Sequence, residues 1–101
     1  MAYARKVDLN HKEVVNALRL AGASVYDTSR CGKGFPDIVV GYKGHTVLVE
    51  IKSGEKKPFT PDQLQFMANW RGSAVVRVND IDGAIRLLNT LNADKIEEIG
   101  D

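Results

Sequence analysis

Two apolar runs, Ile38 to Val40 and Val47 to Ile51, stand either side of Tyr42-Lys43-Gly44-His45. Runs of this length, rich in β-branched residues and bounded by turn residues, predict two strands, and Lys43-Gly44 fits a two-residue hairpin turn. Upstream, NHKEVVNALRLAG spaces Val14, Ala17, Leu18 and Ala21 at helical period. That spacing predicts an amphipathic helix from Asn10 to about Leu20, with Asn10 as cap and Gly22 as terminator. Ala23 to Thr28 reads as a first strand, followed by the glycine-bearing basic loop SRCGKG. After the hairpin and a second loop, Thr60 is a helix cap with Pro61 at the first helical position and Gln63 three residues on. Leu64, Met67 and Ala68 form that helix's apolar face, and Gly72 follows its end. Ser73 to Val78 reads as a short buried strand. A third helix follows, capped by Asn79 or Asp80, with Ile81, Ile85, Leu88 and Leu91 facing inward. No repeat or low-complexity segment interrupts the order α-β-β-β-α-β-α, which predicts an α/β fold with a central mixed sheet flanked by helices.

The turn sets the register. If Tyr42 pairs with His45, the same rule sets Asp37 opposite Glu50, with Cβ atoms about 4.5–5.5 Å apart and like charges in repulsion. Lys52, Leu48 and Thr46 share the face of Glu50, as do Val39 and Gly41 with Asp37; Ile38, Val40, Val47, Val49 and Ile51 occupy the other. Strands apolar on both sides belong in the middle of a sheet. A three-residue loop with a bulge would slip the register by one and send Asp37 and Glu50 to opposite faces.

Two carboxylates forced together in a partly buried site must share a proton or hold a cation. Mg²⁺ or Mn²⁺ is the natural occupant for hard oxygen donors, with the Ile51 carbonyl as a further oxygen. A metal beside a lysine suits phosphodiester hydrolysis by water, with Lys52 orienting the water or offsetting developing negative charge. The plainer alternative is a surface hairpin whose Asp37, Glu50 and Lys52 are solvated strand ends.

Composition narrows the rest. A chain of 101 residues, 44% hydrophobic, is expected to form one compact domain, with a core over about 10–91 and an acidic tail over 92–101. No apolar run approaches the roughly 20 residues of a bilayer span, and MAYARKVDLN lacks a secretory apolar region, so no membrane partner and a cytoplasmic location are expected. The single cysteine, Cys31, rules out an internal disulfide, and with His11 and His45 it makes no zinc-ligand spacing. The net charge of +1 conceals an asymmetry, because Asp94, Glu97, Glu98 and Asp101 against Lys95 leave +4 on residues 1–93. Arg30, Lys33, Lys43, Lys52, Lys56 and Lys57 gather around the hairpin, where they either follow a phosphate backbone or form a solvated surface. Gly32, Lys33 and Gly34 would let a loop backbone approach a phosphate, against the alternative of a flexible connection.

Pro36-Asp37, twelve intervening residues, then Glu50-Ile51-Lys52 resembles the PD-(D/E)XK nuclease signature. GFPD, LVEIKSG and TPDQ together are similar to the virus-type replication-repair nuclease (VRR-NUC) group, the likeness running from about Glu13 to Val78. The resemblance implies a restriction-endonuclease-like αβββαβ core, with Asp37 and Glu50 as metal ligands and Lys52 as the catalytic lysine. It also implies a place in the metal site for Glu13, which a capping box with Asn10 explains equally well, and a site or phosphate-facing role for Gln63, which capping also rivals. Met67 stands where some relatives carry a tyrosine, which sets the exonuclease version apart.

The expected activity is a Mg²⁺- or Mn²⁺-dependent DNA endonuclease of the Holliday-junction-resolvase kind. The resemblance implies a phage or mobile-element protein, homodimeric and acting on branched DNA in a bacterial host, with the third helix and Trp70 as the guessed interface. Arg30, Lys33, Gly34, Lys56 and Lys57 are the expected DNA contacts. The alternatives are a catalytically idle nucleic-acid-binding module, an exonuclease or nicking nuclease, and a protein-protein adaptor. No role falls to His11, His45 or Cys31, and Phe66 and Trp70 read as core or interface rather than as base-stacking platforms.

Overall fold

The computed structural model describes residues 2–54 and 57–93, with side chains from residue 9 onward. Its elements are α1 (Ala2–Leu20), β1 (Ser24–Asp27), β2 (Ile38–Tyr42), β3 (His45–Ile51), α2 (Pro61–Asn69), β4 (Val76–Val78) and α3 (Ile81–Ala93). The strands form one mixed sheet in the order β1-β2-β3-β4, antiparallel except for the β3–β4 pair. The α/β class and the element order match the expectation from sequence, and β2 and β3 are the central strands.

The register is the one the turn demands, from Tyr42↔His45 to Ile38↔Val49. Lys43 and Gly44 both have positive φ, 52° and 85°, as a primed two-residue turn requires. No bulge intervenes, so alternation sends Ile38, Val40, Val47 and Val49 to one face. There they pack with Val14, Val15 and Leu18 of α1, Val78 of β4, and Ala84, Leu87, Leu88 and Leu91 of α3. α1 and α3 touch each other and share this face. Burying each large aliphatic of this cluster contributes about 1.5–3 kcal/mol. α1 stops where Gly22 takes a φ of 102°: its N–H donates to the Arg19 carbonyl and the Ala23 N–H to the Leu18 carbonyl, both at 3.0 Å.

Four local expectations need correction. α1 starts at Ala2, which puts Asn10 in the helix interior, where its amide donates to the Asn79 carbonyl at 3.3 Å instead of capping. Ala21, expected inward, is exposed. α3 turns Ala84, Leu87, Leu88 and Leu91 inward and leaves Ile81 and Ile85 exposed. α2 buries no residue: Leu64 and Ala68 are exposed and Met67 is half-buried, so α1 and α3 alone seal the sheet, on one side. Tail residues 94–101 lie outside the described residues.

Candidate active site

The hairpin register carries past Ile38↔Val49 to the sheet end where Asp37 and Glu50 stand. Fully buried Pro36 leads into Asp37, whose carbonyl accepts from the Thr28 N–H at 2.8 Å; the Thr28 hydroxyl donates to the Pro36 carbonyl at 2.7 Å. So anchored, the Asp37 carboxylate reaches across to β3 and its Oδ2 accepts the Ile51 N–H at 2.8 Å. Glu50 is 5% exposed and Lys52 7%, the buried charged residues of a core otherwise apolar. Lys52 Nζ lies 3.9 Å from Glu50 Oε2, and its main-chain N–H extends the β3–β4 ladder to the Val78 carbonyl at 3.0 Å. A side chain that sequence reasoning passed over lies against the lysine. The Phe59 ring lies 5.6 Å beneath Lys52 Nζ, and the same ring carries the Arg77 guanidinium at 5.4 Å.

Gln63 caps its helix and also reaches Glu50. Its Oε1 accepts the Thr60 N–H at 2.9 Å while the Thr60 hydroxyl accepts the Gln63 N–H at 3.2 Å, a complete capping box. Its Nε2 donates to Glu50 Oε2 at 2.5 Å. The first turn of α2 thereby becomes a fixed arm that orients the buried carboxylate.

Glu50 is pushed up to about 7, first by burial and then by the Asp37 carboxylate, with Lys52 pulling the other way. Near neutral pH the pair is balanced between holding a proton and accepting another cation. Asp37 and Glu50 are hard oxygen donors suited to Mg²⁺ or Mn²⁺, and such ions keep several waters on one or two carboxylates. Among the described residues no group of three His, Cys, Asp or Glu side chains stands together to hold a metal. Ile51, expected to offer its carbonyl, donates its N–H to Asp37 Oδ2.

Around these groups lies a cleft of about 590 Å³, lined by Asp37, Glu50, Ile51, Lys52, Ser53 and Lys57 together with Asn10, His11, Lys12, Asp27, Ser29 and Arg30. Arg30 and Lys57, the expected DNA contacts, are among the residues lining it. Lys33 and Gly34 do not line it, and Lys56 lies outside the described residues. Glu13 is exposed and absent from the lining, and with Asn10 inside α1 its capping role goes too.

His11, two residues before Glu13 on α1, does border the cleft. Its Nε2 is buried 3.4 Å from Asp27 Oδ2 without forming a hydrogen bond. Asp27 is held below the usual carboxylate range chiefly by the Ser29 hydroxyl and then the Ser29 N–H, which donate to Oδ1 at 2.6 and 2.8 Å. The signal for His11 was available: it precedes Val14, Val15 and Leu18 by three, four and seven residues, on the stripe of α1 that faces the sheet.

No protein-family model matches the chain, and no curated protein or solved structure matches it significantly. Among the described residues no helix is long and apolar enough to cross a membrane.

Proposed function

We propose that the protein is a metal-dependent DNA nuclease of the PD-(D/E)XK kind, with Asp37, Glu50 and Lys52 as its centre and a restriction-endonuclease-like sheet as its frame. The observation that carries this reading is the burial of Glu50 and Lys52 together at the end of the two central strands, with Asp37 close enough to raise the Glu50 pKa. Acids crowded and buried beside a cleft, with a shifted pKa, are characteristic of groups that act on a cation or a substrate.

Asp37 and Glu50 would hold Mg²⁺ or Mn²⁺, which when bound polarises a phosphoryl oxygen and makes a coordinated water acidic. Gln63 fixes the Glu50 carboxylate, and the Ile51 amide fixes that of Asp37. Lys52, steadied over Phe59, is available to orient the attacking water or offset charge on the phosphate. Arg30 and Lys57 line the cleft where the flanking backbone would run. Paired cuts in a branched substrate need two centres related by a two-fold axis, so the branched-DNA version of the reading requires a homodimer.

The test is cleavage of linear duplex, single strand, flap and four-way junction with Mg²⁺ or Mn²⁺, for wild type and Asp37→Ala. The reading expects paired nicks in the junction that disappear in the variant. Equal cleavage by both proteins, or none by either, rejects it.

A further inference from the structure

α2 turns its Gln63 side to Glu50 and presents an aromatic side elsewhere. Phe66 and Trp70, one turn apart, stack with ring centroids 5.3 Å apart and planes 22° from parallel. Phe35, which closes the basic loop, meets Phe66 edge-on at 5.2 Å. The indole rests against the main chain of Gly72, where an added Cβ would come within 2.7 Å of Nε1, so only glycine leaves it room. A tryptophan held this way has little rotamer freedom left to lose on binding. It nevertheless remains 42% exposed and borders a second pocket of about 470 Å³, lined by Lys33, Asp62, Gln65, Phe66, Asn69 and Trp70. Small-molecule sites span roughly 300–1,000 Å³.

The basic loop joins this pocket to the first. Arg30 lines the catalytic cleft and Lys33, three residues on, lines the aromatic pocket. Gly34, at φ 79°, lies so close to α2 that an added Cβ would stand 2.2 Å from the Asp62 carbonyl oxygen. Loop and helix are therefore locked together, and that helix turn also carries Gln63 to Glu50. A strand leaving the catalytic cleft over Arg30 meets Lys33 and then the aromatic pocket.

We infer that this pocket is a stacking subsite for an unpaired nucleobase of the DNA strand whose backbone crosses the basic loop. Its chemistry fits a base better than a second copy of the chain. The aromatic faces are rimmed by a carboxylate and two amides able to hydrogen-bond a base edge, with an ammonium for the adjoining phosphate. The centre of a protein interface is instead depleted of charged groups. A base inside a duplex has no free face to offer, so the subsite selects single-stranded, flapped or junction DNA. The inference rests on the nuclease reading for the path of the strand, but occupation of the pocket does not require cleavage.

The chain holds one tryptophan, so its emission reports this pocket alone. Asp37→Ala protein is titrated with a short single-stranded oligodeoxynucleotide and with a blunt duplex, followed both by Trp70 emission and by anisotropy of labelled DNA. Single strand is expected to quench Trp70 and blunt duplex to leave it unchanged. Trp70→Ala should weaken single-strand binding about tenfold or more with duplex binding unaltered, as expected for loss of one stacked base. Trp70→Phe should restore most of it, and Lys33→Gly, which keeps the left-handed backbone and removes the charge, should lower the salt dependence of binding. Unchanged emission at saturating single strand, equal quenching by duplex, or no single-strand binding overturns the inference. So does an emission change that follows protein concentration without DNA, which would make the face a contact between copies. Quenching by single strand alongside full cleavage by Asp37→Ala would end the nuclease reading and leave the subsite standing.

Discussion

The two sides of the sheet are built on opposite terms. On the side of α1 and α3, Ile38, Val40 and Val49 are fully buried, and the apolar cluster is continuous from Val14 to Leu91. On the other side Val39 and Leu48 are half-covered, Tyr26 is exposed, and α2 attaches chiefly through its first turn, at Gly34 and Glu50. One side supplies the stability that lets the other carry buried charge, crowded acids and an open aromatic helix. The lesson concerns where strain is tolerated: both central strands contribute to both faces, so the core fixes the charged end without sharing its polarity.

Substitutions should separate the two sides. On the open side, Asp37→Ala and Lys52→Ala are expected to lower DNA cleavage by roughly 10²-fold or more, while circular dichroism still reports a folded chain. On the sealed side, Ile38→Ala should cost about 2–5 kcal/mol in urea unfolding. Cleavage per folded molecule should persist in that variant. If Ile38→Ala removed activity from fully folded protein, the division would fail.

Glu50 sharpens the comparison through pH. Its pKa is raised from 4.5 to about 7 in the fold, so the folded state binds this proton more tightly than the unfolded chain. The contribution is complete below the ordinary carboxylate range and is lost as pH rises through about 7. It amounts to roughly 3 kcal/mol. Without divalent ions, thermal stability should fall between pH 5 and pH 8 about as far as this predicts, and Glu50→Gln should flatten the decline. An unchanged slope in Glu50→Gln would assign the titration elsewhere. A smaller effect belongs to the arm: Gln63→Ala should weaken metal affinity or activity about 10- to 100-fold, as loss of a partner behind a ligand does. Thr60→Ala, which removes the cap and leaves Gln63, should cost about 1 kcal/mol of stability and little activity.

Local chemistry explains which features could be read in advance. Lys43-Gly44 admits few turn geometries, so the register, and with it the meeting of Asp37 and Glu50, followed from a dipeptide and a period of two. Thr60, Pro61 and Gln63 identified the start of α2 for the same reason. The orientation of α3 was ambiguous because Ile81, Ile85, Leu88 and Leu91 and the set Ala84, Leu87, Leu88 and Leu91 both satisfy a helical period, and only packing against the sheet selects the second. α2 misled because its apolar residues suggest burial, whereas the fold lets it dock by its first turn. The apolar stripe of α1 marks His11 as facing the sheet, but nothing in the sequence announces that Asp27 and Ser29, 16 and 18 positions on, border the same cleft. Glu13, two residues further along α1, points elsewhere for the same helical reason.

The most direct measurement is a calorimetric titration of Mn²⁺ into wild type, Asp37→Ala and Glu50→Gln at pH 8, where Glu50 is largely ionised. Saturable binding to the wild type that is lost in both variants is the predicted result. Binding that survives in both, or a wild type that takes up no ion while still cutting DNA, would contradict a cation shared between the two carboxylates.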